Sequence, residues 1–104
     1  MPSIDQTISP ENCSNMVQVR EGVDAIDREM VALIARRFAY MDAAARIKTD
    51  RDAVRDEARK AEVIANVQAA AIAAEIPVEP VIQLWDGLVE ASIVYEFDRW
   101  DETN

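Results

Sequence analysis

The stretch MVQVREGVDAIDREMVALIARRFAYMDAAARIK, residues 16–48, decides the fold of this 104-residue chain. Its apolar residues recur at alternating spacings of three and four, which is the pattern of a helix with one packed face. This apolar seam comprises Met16, Val19, Val23, Ile26, Met30 and Leu33, and continues through Met41, Ala44 and Ile47. Asn15, with Gln18 three residues later, resembles a capping box. The pattern therefore predicts a first helix over about residues 15–48.

The length of this helix predicts a partner. At about 1.5 Å per residue it extends roughly 50 Å, which is too long for a compact protomer of this size to cover. We therefore expect the helix to pack along much of its length against something else. A second copy of the chain is the simplest partner, so the pattern predicts a homodimer.

The rest of the chain predicts two further helices, giving an all-α protomer with a long, a short and a medium helix. Alternating charges and alanines favour a second helix over about residues 56–74, with Val63, Val67 and Ala70 or Ala71 facing inward. Pro80 suits the first turn of a third helix. The apolar stripe of that helix comprises Val81, Trp85, Leu88, Val89, Ile93, Phe97 and Trp100. Residues 49–55 are predicted to form a loop or a frayed helix start. Residues 1–13 are predicted to be a flexible arm before a helical domain over 14–104.

The composition excludes several classes of function. The 20 acidic residues outnumber the 11 basic ones, and the net charge of −9 argues against nucleic acid or an anionic membrane as a partner. The absence of histidine excludes His-based catalysis and His-ligated metals. The single Cys13 can form no internal disulfide, so we expect a reducing compartment, the cytoplasm. No signal peptide and no membrane span are predicted, because the chain has neither a basic, apolar leader nor a long apolar run.

The basic residues are concentrated in one segment of this acidic chain. Eight of the 11 lie between residues 36 and 60, which fits either solvated helix faces or a site for a small anion. At about 100° per residue, Arg37 and Lys48 interrupt the apolar seam and share a face within about 20°. Two buried cations need either carboxylates of the protein or an anion from outside.

Two polar residues interrupt the stripe of the third helix. Ser92 and Glu96, four residues apart, both point into it. A carboxylate on a core face pairs with a buried base or binds a ligand, although a Glu near a helix end can also turn to solvent. Arg20 lies roughly 25 Å from Arg37 along the first helix, so it is either a surface residue or is supplied to the site by an antiparallel partner.

Several segments resemble a known family. The run R-E-G-V-D-A-I-D-R-E-M-V-A-L-I-A-R-R-F-A-Y (Arg20–Tyr40), with A-A-R-I-K ending at Lys48, is similar to the first helix of the α-helical (AroQ-type) chorismate mutases. The related isochorismate pyruvate lyases share this helix, and the segment P-E-N-C-S resembles them especially. V-R-D over Val54–Asp56, followed by Arg59, resembles the start of the mutases' second helix. Ser92 and Glu96 fall where the family carries Ser and Gln.

The resemblance implies an intertwined homodimer that rearranges chorismate to prephenate, as in aromatic amino acid biosynthesis, with no cofactor and no metal. It implies that Arg37, Lys48 and Arg59 bind the carboxylates and the ether oxygen of this dianionic substrate. Ser92 and Asp56 would then line the pocket, and Arg20 would enter from the other protomer. Catalysis would come from holding a reactive conformer and from donors that stabilise charge on the breaking C–O bond.

Two positions depart from the family pattern. Glu96 stands where Gln is commonest, and only a protonated Glu can donate a hydrogen bond to the ether oxygen. Burial favours the protonated form of Glu96, and the neighbouring Lys48 favours its ionised form. Because only the protonated form can donate, we expect an activity that improves as the pH falls below neutral. Lys60 stands where the mutases have a Glu that contacts the substrate hydroxyl, a role that Glu57 could take instead.

The residues leave the reaction open. The leading hypothesis is chorismate mutase, and the alternative is isochorismate pyruvate lyase, which forms salicylate and pyruvate in salicylate biosynthesis. Both reactions place the same dianion among the same cations, so the site residues do not separate them. A mutase acting on an amino-substituted chorismate is a further variant, although Lys60 would lie awkwardly beside a substrate ammonium group. The second alternative is a non-enzymatic helical dimerisation module, in which Arg37 and Lys48 pair with carboxylates of the protein.

Overall fold

The computed structural model describes residues 1–104 and contains helices and turns but no strand. The α-helices are α1 (Met16–Ile47), α2 (Glu57–Ala73) and α3 (Val78–Thr103). Three single-turn 3₁₀ helices accompany them, at Ile4–Gln6, Pro10–Asn12 and Arg51–Ala53. The prediction of an all-α chain is confirmed. The helical elements exceed the three predicted because single 3₁₀ turns are too short to produce a hydrophobic period. None of the helices combines the length and apolarity that crossing a bilayer requires.

The start of α1 lies one residue after the predicted position. The Asn15 side-chain oxygen accepts a hydrogen bond from the Gln18 backbone N–H at 2.9 Å, as a helix cap does. The Gln18 side chain accepts from the backbone N–H of Ser14 at 2.8 Å, one residue earlier than in a standard capping box. The two hydrogen bonds satisfy backbone N–H groups that have no partner within the helix, and they fix where α1 begins.

The turn between α2 and α3 is a left-handed helix cap. Glu75 has a φ of 59°, and its N–H donates to the Ile72 carbonyl while the N–H of Ile76 donates to that of Ala71. These two bonds form a Schellman motif, which normally carries Gly at the left-handed position. Pro77 follows, and α3 begins at Val78, two residues before Pro80.

The chain divides into two compact units, Met1–Arg37 and Phe38–Asn104. In the first unit, Arg28 Nη2 donates to the Pro2 carbonyl at 2.6 Å. An apolar groove of about 570 Å³ lies between the N-terminal residues and α1. The seam side chains of α1 in this unit are 37–58% exposed, namely Val19, Val23, Ile26, Met30 and Leu33. Much of the face that the sequence predicts to be packed is therefore exposed in this unit.

The second unit contains the core that positions the candidate site. Val54, Val89 and Ile93 are buried together, and Val63, Phe97 and Trp100 pack against them. The end of α1 is fastened to α3 through Asp42, which accepts from the Tyr95 hydroxyl at 2.7 Å and from Arg99 Nε at 2.9 Å. The Phe38 and Tyr95 rings meet edge to face beside this network, with their centroids 4.8 Å apart.

Candidate functional site

Lys48 and Glu96, which the sequence places on inward faces of different helices, meet in the structure. Lys48 is the first residue after α1, and its Nζ donates to Glu96 Oε2 at 2.7 Å. Glu96 is only 4% exposed, whereas the Lys48 side chain is 29% exposed. The ion pair compensates the cost of burying the carboxylate. An anion that binds Lys48 must therefore share its three ammonium protons with Glu96.

Ser92 lies one turn before Glu96 on α3. It is 3% exposed, and its Oγ donates to the Leu88 carbonyl at 2.7 Å, four residues earlier. Such a bond holds a hydroxyl against its own helix. The predicted inward direction of Ser92 and Glu96 is thus correct, and neither turns to solvent.

Asp56 and Arg59 are exposed, and their contacts are local. Asp56 is the N-cap of α2, where its Oδ1 accepts from the Arg59 backbone N–H at 3.0 Å. The Arg59 guanidinium lies 3.7 Å from the Glu62 carboxylate, and its side chain is 62% exposed. The structure therefore gives Asp56 a capping function, and the substrate contacts expected of these two residues stay predictions.

Arg20 and Arg37 both lie on α1, in the first unit. Arg20 is exposed, as expected for a residue that serves another protomer or only the surface. Arg37 is half-buried and is the last residue of that unit. Their roles in binding a substrate stay predictions.

Trp100 makes a polar contact that its position in the apolar stripe did not predict. Its Nε1 donates to the Lys48 carbonyl at 3.1 Å, so α3 contacts Lys48 at the backbone as well as at the ammonium. The hydrophobic stripe predicted only an apolar role for this residue. The sequence feature that could have indicated this contact is the spacing of four residues between Glu96 and Trp100, which places both residues on one face of α3.

The segment that follows Lys48 is fastened to the same end of α3. Arg51 donates to Asp101 through Nε at 2.8 Å and through Nη2 at 3.2 Å. Its guanidinium also lies 4.5 Å from the centroid of the Phe97 ring, in a cation–π contact. A loop predicted only to be polar is therefore anchored directly after Lys48.

The first turn of α2 and the segment just before it are held to α3 by a cluster of charges around Glu90. Arg55 Nη2 and Lys60 Nζ contact the two oxygens of Glu90 at 2.8 and 3.0 Å, and Lys60 also contacts Asp86 at 2.9 Å. Hydrogen bonds from Arg55 and then Lys60 lower the pKa of Glu90 to about 2. Lys60, the departure from the family pattern, thus pairs with two carboxylates of α3.

The Glu90 cluster predicts a specific loss of stability in acid. The ordinary pKa of this carboxyl is 4.5, and its pKa in the folded protein is about 2. Its ion pairs therefore stabilise the fold fully above pH 4.5, and this stabilisation is lost as the pH falls through 2. We expect Glu90→Gln to lower the free energy of unfolding at neutral pH, and the difference from wild type to close across this acidic range. Because these side chains are partly exposed, added salt should narrow the difference.

Urea unfolding at fixed protein concentration over a pH series measures this effect. Glu79→Gln is the matched control, since Glu79 is an exposed carboxylate in the first turn of the same helix. A difference between Glu90→Gln and wild type that stayed constant with pH would show that the ion pairs do not stabilise the fold.

Comparison with known proteins identifies the family. The family model described as Chorismate mutase type II matches residues 19–97, a range that includes all seven predicted site residues. The isochorismate pyruvate lyase of Pseudomonas aeruginosa is 37% identical over 46 residues. That match spans 44% of this chain and 46% of the lyase, so the chain covers less than half the length of this relative. Because the family match extends over more than half of its residues, the chain belongs to the chorismate mutase type II family.

Proposed function

We propose that this protein is a chorismate mutase that converts chorismate to prephenate. One ether C–O bond breaks and one C–C bond forms within the same molecule, so the reaction needs neither a nucleophile nor a cofactor. Besides family membership, one observation supports the proposal. The Lys48 ammonium lies at the end of α1 against the buried face of α3, 2.7 Å from Glu96. A preorganised cation in a partly desolvated position is what a developing oxyanion requires.

In the proposed mechanism, binding and catalysis use the same charges. Arg37 and Arg59 bind the two carboxylates and so select the folded conformer in which the reacting carbons approach each other. Lys48 donates to the ether oxygen as its bond breaks, and Glu96 donates when protonated. Ser92 and Asp56 line the pocket. Arg59 is free to turn toward the substrate at little cost, because its contact with Glu62 is long and exposed.

The proposed active form is a homodimer. Its support is the exposure of the α1 seam, whose large apolar side chains between Val19 and Leu33 are 37–58% exposed. A second copy placed antiparallel along α1 would bury this seam and bring its own Arg20 toward the Lys48 end of the first. Each site would then combine Lys48 of one protomer with Arg20 of the other.

This arrangement predicts complementation between two inactive variants. When Arg20→Ala and Lys48→Ala are unfolded together and refolded, about half of the dimers are mixed, and each mixed dimer holds one intact site. We therefore expect about a quarter of the wild-type activity to return. Each variant refolded alone is the control. Failure to regain activity, with mixed dimers demonstrated by mass spectrometry, would show that Arg20 does not act across the dimer.

Isochorismate pyruvate lyase is the second candidate function. The similarity to the Pseudomonas aeruginosa lyase supports it. In that reaction the ether C–O bond breaks while a ring hydrogen moves to the departing enolpyruvyl group, which leaves salicylate and pyruvate. The same cations would bind the substrate and stabilise the leaving oxygen, so the two activities can coexist in one site.

Product analysis tests both candidates. The purified protein is incubated separately with chorismate and with isochorismate, at about pH 5.5 and about pH 7.5, because the proposed donor Glu96 is titratable. Faster formation of prephenate supports the mutase, and faster formation of salicylate and pyruvate supports the lyase. No product from either substrate would contradict both candidates and favour the dimerisation module.

A further inference from the structure

We propose that Trp100 is a positioning residue, whose indole holds the backbone of Lys48 so that the ammonium is aimed at the reacting ether oxygen. The observation is the hydrogen bond of 3.1 Å from Trp100 Nε1 to the Lys48 carbonyl. The inference rests on the proposed function, because it assigns Trp100 a role only through the catalytic role of Lys48.

The backbone at Lys48 needs such a partner. Its N–H still donates to the Ala44 carbonyl at 2.9 Å, in the last turn of α1, but the helix ends at Ile47. The last carbonyl groups of a helix have no N–H donors from a following turn. They therefore require a hydrogen bond from water or from another group. Trp100 supplies that group from a neighbouring helix and so removes freedom from the residue where the chain leaves α1.

Trp100 is itself well fixed. Its ring packs against the buried cluster of Val54, Val89 and Ile93, and the side chain has only two rotatable bonds. Glu96, one turn earlier, contacts the other end of Lys48 at 2.7 Å. One turn of α3 thus holds Lys48 at both its carbonyl and its ammonium. Displacing a catalytic group by about 1 Å can lower a rate by about 100-fold, so this fixation has a measurable consequence.

The test is the steady-state kinetics of Trp100→Phe, which keeps an aromatic ring and removes the donor. We expect kcat to fall about tenfold or more while KM changes less than about twofold, because the carboxylate-binding arginines are unchanged. Trp85→Phe is the matched control, since Trp85 is a half-buried indole on the same helix. Assays run well below the melting temperature of each variant separate this effect from unfolding. An unchanged kcat in folded Trp100→Phe would overturn the proposal.

A second measurement uses the wild-type fold. In ¹⁵N-labelled Trp85→Phe the remaining indole N–H signal belongs to Trp100, and we expect it to exchange slowly with solvent. Exchange as fast as that of a free indole would overturn the proposal even if Trp100→Phe failed to fold. Lack of turnover by the wild-type protein with either chorismate or isochorismate is a different result, because it contradicts the proposed function and leaves the hydrogen bond in place.

Discussion

Lys48→Ala is expected to lower the turnover of chorismate by about 10²–10³-fold, which is the usual cost of removing one preorganised donor to a developing oxyanion. The matched control is Arg46→Ala, which removes an exposed cation from the last turn of α1. It should leave turnover within about twofold of wild type, because a solvated charge contributes little to a site it does not contact. Steady-state assays with chorismate measure both variants.

The same substitution should also destabilise the protein, since it removes the Lys48 cation that pairs with the buried Glu96 carboxylate. We expect a loss of about 1–3 kcal/mol in the free energy of unfolding at neutral pH. Adding Glu96→Gln removes the stranded charge and should restore most of this loss, but not the turnover. The double variant therefore separates the structural role of Lys48 from its catalytic role. If the double variant kept wild-type turnover, the ion pair would be purely structural and Lys48 would have no catalytic role.

Glu96→Gln alone is expected to change how activity depends on pH. An ionised Glu96 accepts from Lys48 and has no proton to donate, whereas an amide donates at every pH. We expect the wild-type kcat/KM to be higher at about pH 5.5 than at about pH 7.5 and the variant to differ little between them, because only the carboxyl gains its donor proton in acid. At neutral pH the variant should be the faster enzyme, because its donor is always present.

Asp98→Asn is the matched control for this profile. Asp98 lies two residues after Glu96 on α3 and is exposed, so its removal changes the charge of the helix but not the buried pair. Its profile should follow that of wild type. A wild-type profile that was already flat, or a Glu96→Gln profile with the wild-type slope, would show that the Glu96 proton takes no part in the reaction.

Much of the fold could be predicted because it follows from periodic local patterns. The bounds of α1 and α2 agree with the prediction within about one residue, since caps and proline positions mark helix ends in the sequence. The inward direction of Ser92 and Glu96 also follows from helical spacing alone. These features depend on residues a few positions apart, so one sequence is enough to specify them.

The contacts that define the site depend on the relative placement of helices, which the sequence does not express. Nothing local shows that the Trp100 indole meets the Lys48 carbonyl, 52 residues earlier, or that Lys60 pairs with Asp86 and Glu90. Contacts made by the polar ends of amphipathic side chains are hard to predict, because a hydrophobic pattern reflects only the apolar parts of these side chains. The helix-capping role of Asp56 was also missed, because the family resemblance suggested a pocket residue at that position.

The exposed seam of α1 has a consequence for the amount of protein a cell must make. In the proposed dimer the chain completes its packing only by association, so the folded population follows mass action and falls upon dilution. At low protein concentration, activity should then rise more steeply than in direct proportion to the concentration of chains, because each active site needs two chains. A modest fall in expression would therefore lower the catalytic activity by a larger factor than it lowers the number of chains. A bound substrate that bridges the two protomers would stabilise the dimer and offset part of this fall in activity.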